Sequence, residues 1–167
     1  MENLVAQIIY KLKQLGWKIT TMESCTAGYV LSTITNVEGA SEITEGGFGV
    51  YSNKAKVRMG VPAEVIGRYG VYSKETAIEM ANAARIKNDC QVGLGVTGTF
   101  SNIDTDNSDS LALKVFYAIV IGEDYIFNDK IDIPNRSRVQ QKEYTTDKIL
   151  TKLNSILERQ LKIKAAK

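Results

Sequence analysis

Trp17-Lys18-Ile19-Thr20-Thr21-Met22-Glu23-Ser24-Cys25-Thr26-Ala27-Gly28 is the stretch on which the fold turns. Trp17 to Thr21 reads as a short strand that runs out at Met22-Glu23-Ser24. From Thr26 to Ile34, the apolar residues Tyr29, Val30 and Ile34 take up helix-compatible spacing. A strand that feeds a helix through a polar turn is the repeating unit of an α/β protein, and Ser24 falls at the junction.

The same alternation continues on both sides. Upstream, Leu4, Val5, Ile8, Ile9, Leu12 and Leu15 predict a helix over 2–15, with Gly16 where a C-terminal glycine belongs. Downstream, Gly46 to Ser52 reads as a glycine-rich strand, a composition that marks close backbone approach. Short helices are expected over 54–59 and 62–69, with Pro62 at a first helical position. Ser73 is placed to cap a helix over 74–87. Cys90 to Val96 forms a strand that runs into Thr97-Gly98-Thr99, and Ser101 to Ser110 is a polar loop. Val115 to Ile121 is continuously apolar, as in a strand buried on both faces. Tyr125, Phe127, Ile131 and Ile133 alternate, as in an edge or antiparallel strand. A long amphipathic helix follows from about Arg136. The expectation is one α/β domain over residues 1–167, with helices on both faces of a mixed sheet; the strand order is not readable from the pattern.

Composition narrows the chemistry. The 167 residues include 21 basic and 19 acidic side chains, a net charge of +2, so no broad footprint for direct nucleic-acid binding is visible. The small basic excess gathers at Arg159, Lys162, Lys164 and Lys167, which reads as a solvated helix end. No apolar run approaches the ~20 residues that span a bilayer, and Met1-Glu2-Asn3 does not open a signal peptide. A cytoplasmic protein with no membrane partner is the expectation. Two cysteines, Cys25 and Cys90, are too few for a disulfide framework or a zinc cage, and no metal or cofactor is expected.

The chain contains no histidine. That excludes a Ser-His-Asp triad, a Cys-His pair and imidazole acid–base work, so a hydrolytic mechanism must find another base. Two polar clusters offer one. Ser24-Cys25-Thr26-Ala27-Gly28 places hydroxyls, a thiol and a glycine where a sheet presents ligands to helix N-termini. Tyr51-Ser52-Asn53-Lys54-Ala55-Lys56 follows a second strand and supplies lysines, which can act as neutral bases when desolvated. Thr97-Gly98-Thr99 is a third candidate wall. Each cluster also has a structural reading. Ser24 or Thr26 can cap the helix, the lysines can be solvated, and Thr97-Gly98 can be an ordinary turn. Spacing alone leaves Lys54 and Lys56 open, and Cys25 competes with Ser24 as nucleophile. Gly-Leu-Gly-Val-Thr-Gly at 93–98 lies within a strand and opens no helix, which excludes a dinucleotide fingerprint.

Taken together, Thr21-Met22-Glu23-Ser24-Cys25-Thr26-Ala27-Gly28, Gly47 to Lys56 with Gly60-Val61, Gly70-Val71-Tyr72-Ser73, Met80-Ala81 and Thr97-Gly98 resemble the CinA C-terminal domain family over nearly the whole chain. The resemblance implies a three-layer α/β/α fold, often a homodimer. It also implies a metal-independent amidohydrolase that converts nicotinamide mononucleotide to its carboxylate and ammonia, as in NAD recycling. It assigns catalysis to Ser24, Lys56 and Tyr51, leaving Lys54 on a variable position. Substrate contacts are expected from Cys25, Thr26, Gly28, Asn53, Thr97 and Gly98. The chain departs from the family at Thr99 to Asp104, where Ile-Ala-Gly-Pro is usual, and at Leu113-Lys114, where a glycine is usual. Two alternatives accompany this reading: a non-catalytic nucleotide- or protein-binding module of the same fold, and a hydrolase of another small amide or ester, with Phe100 and Lys114 setting selectivity.

Overall fold

The computed structural model describes residues 1–102, 105, 107 and 111–166; Ile103, Asp104, Asp106, Ser108, Asp109, Ser110 and Lys167 lie outside the described residues. Six helices and five strands alternate along it: α1 (Glu2–Leu15), β1 (Ile19–Glu23), α2 (Tyr29–Thr35), β2 (Gly47–Gly49), α3 (Asn53–Arg58), α4 (Ala63–Tyr69), α5 (Lys74–Lys87), β3 (Val92–Thr99), β4 (Lys114–Ile121), β5 (Tyr125–Asp132) and α6 (Arg138–Ala165). The strands form one sheet in the order β2-β1-β3-β4-β5. β1 runs parallel to both β2 and β3, whereas β4 and β5 add on antiparallel, so the sheet is mixed as expected.

Strand alternation divides the core in two. Val92, Leu94 and Val96 of β3, with Val115, Tyr117 and Ile119 of β4, pack against α1, α2 and α6 through Val5, Ile8, Leu12, Val30, Ile34, Ile149, Leu150 and Leu153. The opposite face is built differently. Gly93 and Gly95 of β3 carry no side chains there, and α5 settles directly onto the strand: a Cβ on either glycine would lie 2.1 Å from a carbonyl oxygen of α5. Ala77, Ala81, Ala118 and Val120 fill what little space remains. Three layers follow, helix on sheet on helix.

Local boundaries differ from the sequence reading at several places, among them β3, which runs on through Thr97-Gly98-Thr99 instead of turning there. The first strand starts and ends two residues later than Trp17–Thr21, so Ser24 is the first residue beyond it. Helix α2 begins at Tyr29 rather than Thr26, because Ala27 (φ 52°) and Gly28 (φ 93°) hold left-handed conformations that no helix continues. Pro62 caps α4 from outside in an extended conformation rather than occupying its first turn. The glycine at 16 (φ 72°) and the Ser73 cap, whose Oγ accepts the Thr76 amide at 3.1 Å, take the expected roles.

These connections decide where a site can form. From β1 the chain passes through α2 to β2 on one side, then through α3, α4 and α5 to β3 on the other. β1 is therefore a topological switch point, and the crevice beyond its carboxyl end is where open α/β sheets bind ligands. Ser24 stands there.

Candidate active site

Ser24 is fixed by its neighbours on both sides. Its amide donates to Val96 O of β3 at 2.9 Å, and the Val50 amide donates to Glu23 O at 2.8 Å. The turn that follows is therefore tied to the ends of all three parallel strands. Helix α3 comes in from the β2 side. Ser52 caps it, its Oγ accepting the Ala55 amide at 3.1 Å. That cap sets the helical phase. Lys56 then points inward, 1% exposed, and Lys54 points to the cavity rim. The Lys56 Nζ lies 3.0 Å from Ser24 Oγ and donates to Val50 O at 3.1 Å. Thirty-two residues of chain separate the two side chains, and the structure brings them into hydrogen-bond contact.

Above Ser24 opens a cavity of about 570 Å³, of the size that small-molecule ligands occupy. Ser24, Cys25, Tyr51, Asn53 and Gly98 all line it, together with Lys54, Tyr72, Phe100 and Arg138. Asn53 Nδ2 donates to Asn107 Oδ1 at 2.7 Å, which ties α3 to the loop after β3. Gly98 is an obligate small residue, since a Cβ would stand 2.4 Å from Lys114 O on the next strand. The remaining expected contacts lie elsewhere. Thr97 is buried and donates from Oγ1 to Val71 O at 2.9 Å, away from the cavity lining. Thr26 is fully buried, outside the lining. The Gly28 amide is committed to the Glu23 carboxylate at 2.9 Å. Neither Ser24 nor Thr26 caps α2, which has no side-chain cap at its Gly28 N-cap.

Tyr51 is two-thirds exposed, and its Oη accepts from Arg138 Nη2 at 2.8 Å. Arg138 also sits over the Phe100 ring, 5.4 Å from its centroid, in cation–π geometry. The sequence reading missed Arg138, which is 87 positions from Tyr51. One signal was available. Ser137 and Gln140 form a capping box at the start of α6, and a cation in the first turn of a helix opposes the macrodipole, so Arg138 is out of place for a helical role alone. Among the described residues no carboxylate lines the cavity, while Lys54 and Arg138 do.

Cys25 is a poor nucleophile for a physical reason. Burial pushes its thiol up to about 12, and the charge of Glu23 pushes the same way; the backbone amides of Cys25 and Thr26, and more weakly Lys56, offset only part of this. At neutral pH the group is a thiol. A folded-state value above the ordinary 9 means that the folded protein holds this proton longer than the unfolded chain does. The associated stability is complete below pH 9 and is lost as pH rises from 9 towards about 12. Denaturant midpoints should accordingly fall across that window in wild type, and fall less steeply in Cys25→Ala. Equal slopes would show that the thiol is not held neutral.

At one family departure the structure records a strained backbone. Leu113, where the resemblance implies a glycine, adopts φ 60°, an outlier for a bulky side chain. Its amide donates to Phe100 O and its carbonyl accepts from Ile133 N, both at 2.9 Å, so the left-handed backbone is kept without the glycine. Lys114 turns away from the cavity to pair with Asp132.

Comparison with known proteins agrees with this architecture. The family model for the CinA C-terminal domain matches residues 1–157. The chain belongs to that family. A CinA-like protein of Kosmotoga olearia is 43% identical over 98 residues, covering 58% of this chain and 24% of the relative. The matched segment thus spans about a quarter of that longer protein. Among solved structures, a competence or damage-inducible protein of Enterobacter asburiae superposes with a TM-score of 0.84 at 25% identity, covering 92% of this chain and 96% of that one. A CinA superfamily protein of Klebsiella pneumoniae superposes with a TM-score of 0.86 at 18% identity, covering 95% and 98%. The last likeness is one of fold. Among the described residues, no helix is long and apolar enough to cross a membrane.

Proposed function

We propose that this CinA-family domain is an amide hydrolase that uses Ser24 as nucleophile and Lys56 as general base, with nicotinamide mononucleotide as substrate. The observation that carries the proposal is the 3.0 Å contact between the buried Lys56 Nζ and the Oγ of Ser24, which lines the cavity. In its neutral form, an amine that donates to Val50 O can turn its lone pair to the Ser24 proton. Attack of Oγ on the carboxamide carbon then gives a tetrahedral oxyanion. Lys56 returns the proton to the departing nitrogen, ammonia leaves, and a serine ester remains. Water, deprotonated by the same amine, attacks that ester; Lys56 hands the proton to the departing Ser24 Oγ, and the carboxylate is released with the serine restored. Backbone N–H groups of the turn that follows Ser24 are assigned to the oxyanion. Serine and lysine supply nucleophile and base, so the scheme calls for no metal or cofactor.

The wall chemistry supports a mononucleotide. A phosphate suits Lys54 and Arg138 at the rim, and a pyridinium ring suits the faces of Tyr51 and Tyr72. Tyr51, held by Arg138, acts as an orienting group or proton relay. The family resemblance adds a homodimer. Ammonia release from nicotinamide mononucleotide by wild type and Ser24→Ala tests the reading. Turnover is expected in wild type, with a loss of at least about 10³-fold in kcat for the variant. Equal rates would end the serine mechanism. Tight binding without turnover in wild type would mark the chain as a nucleotide-binding module instead.

A further inference from the structure

We infer that Glu23 is a positioning residue, whose buried carboxylate fastens the turn that aims Ser24 at Lys56. The inference rests on the amide-hydrolase reading for its kinetic consequence, but its geometric content stands separately.

Glu23 is the last residue of β1, directly before Ser24, and it is fully buried. Burying a carboxylate is unfavourable unless several donors meet it, and three do. Oε2 accepts the amides of Gly28 at 2.9 Å and Val30 at 3.1 Å, and Oε1 accepts the Leu31 amide at 2.9 Å. The Tyr29 amide goes to Thr26 O at 3.2 Å. The first amides of α2, which every helix leaves without internal partners, are thereby all accounted for. A glycine N-cap brings no side chain to do this locally, so a residue from the strand does it from five positions away.

The arrangement joins both ends of the turn through one side chain. The Glu23 backbone is fixed in the sheet, paired in register with Gly49 and Val96. Its carboxylate holds the start of α2. Between these anchors the turn includes Ala27 at φ 52°, a conformation that costs an alanine energy and persists only where its surroundings impose it. Helix α2 has seven residues, too few to hold its own first turn in water. Releasing the carboxylate therefore loosens the turn that leaves Ser24, whose own amide stays on Val96 O, while leaving β1, β3 and α5 in place. The same contacts give the end of α2 an internal counter-ion.

Glutamine is the discriminating replacement. It fills the same volume but has one acceptor oxygen, so its amide nitrogen must face at least one backbone N–H. Steady-state kinetics on nicotinamide mononucleotide and a crystal structure of Glu23→Gln give two independent readouts. The expected result is a folded protein with kcat lowered about 100-fold, the scale set by an ångström of misplacement. KM should stay within about threefold of wild type, because the cavity walls at Tyr51, Asn53 and Arg138 are untouched. The Ser24 Oγ to Lys56 Nζ separation should open beyond hydrogen-bond reach. A folded variant that keeps the 3.0 Å contact and wild-type kcat would overturn the inference, even if its melting temperature fell. Should Glu23→Gln fail to fold, Glu23→Asp keeps the charge with one methylene less reach and is judged by the same two readouts. A wild type that releases no ammonia would count against the hydrolase reading alone, since the crystallographic separation in the variant still decides the positioning role.

Discussion

Lys56→Met should lower kcat for amide hydrolysis by about three orders of magnitude while changing KM little, the range expected for loss of a positioned general base. Lys56 is all but fully buried, with its nitrogen on Ser24 Oγ and Val50 O. Methionine keeps the unbranched stem and deletes the nitrogen. Two opposing stability effects follow. Val50 O loses a donor, which costs about 1–3 kcal/mol for a buried acceptor, and the desolvation cost of a buried amine disappears. The melting temperature should therefore move by only a few degrees, and the lost activity would be chemical in origin. Lys56→Arg sharpens the test, because a guanidinium keeps the charge and cannot be deprotonated. Both variants should be inactive. Substantial activity in Lys56→Arg would mean that Lys56 serves as a fixed charge instead of a base.

The largest stability effect is expected at Gly95. A Cβ there would stand 2.1 Å from Ala77 O, 2.7 Å from Ala81 N and 3.0 Å from Met80 Cβ. The first two are backbone atoms of α5, so no rotamer change relieves them. The helix must lift from β3 or the strand must bend. Gly95→Ala should cost at least about 3 kcal/mol, the upper part of the range for overpacked sites, and lower the melting temperature by roughly 6–12 °C. Gly67 is the matched control. It lies inside α4, and a methyl group added there would meet nothing within 4 Å, so Gly67→Ala should stabilise by up to about 1 kcal/mol through helix propensity. Thermal melts of the two variants should thus move in opposite directions. Similar melts would mean that α5 does not sit directly on the glycines of β3.

These glycines show how much of the fold was legible in the sequence. Gly93 and Gly95 were readable as strand residues, and the absence of a helix after them ruled out a dinucleotide fingerprint. Their purpose was not readable, because it depends on α5 presenting small residues and bare backbone, Ala77 and Ala81, at the matching height. The start of α2 was misplaced for a related reason. Thr26 looked like a cap by composition, whereas the group that satisfies the helix is a glutamate in the preceding strand, a pairing that local capping preferences do not encode.

The site shows the same division. A hydroxyl at the strand end and a lysine after the second strand were visible as chemical types, and the missing histidine made a lysine partner necessary. Spacing did not separate Lys54 from Lys56. The Ser52 cap does, by setting the phase of α3 so that one lysine turns in and the other out. Arg138 escaped notice because no short motif links the start of α6 to Tyr51, and only the packing of the last helix across the sheet brings them together.

Covalent labelling tests the Ser24–Lys56 pairing without assuming any substrate. Wild type, Lys56→Met and Ser24→Ala are treated with a fluorophosphonate, and the adducts are located by peptide mass spectrometry. One adduct per chain on Ser24 in wild type, with labelling at least about 100-fold slower in Lys56→Met and absent in Ser24→Ala, is the result the dyad requires. Labelling of Ser24 at the same rate with and without Lys56 would show that the 3.0 Å contact does not activate the serine.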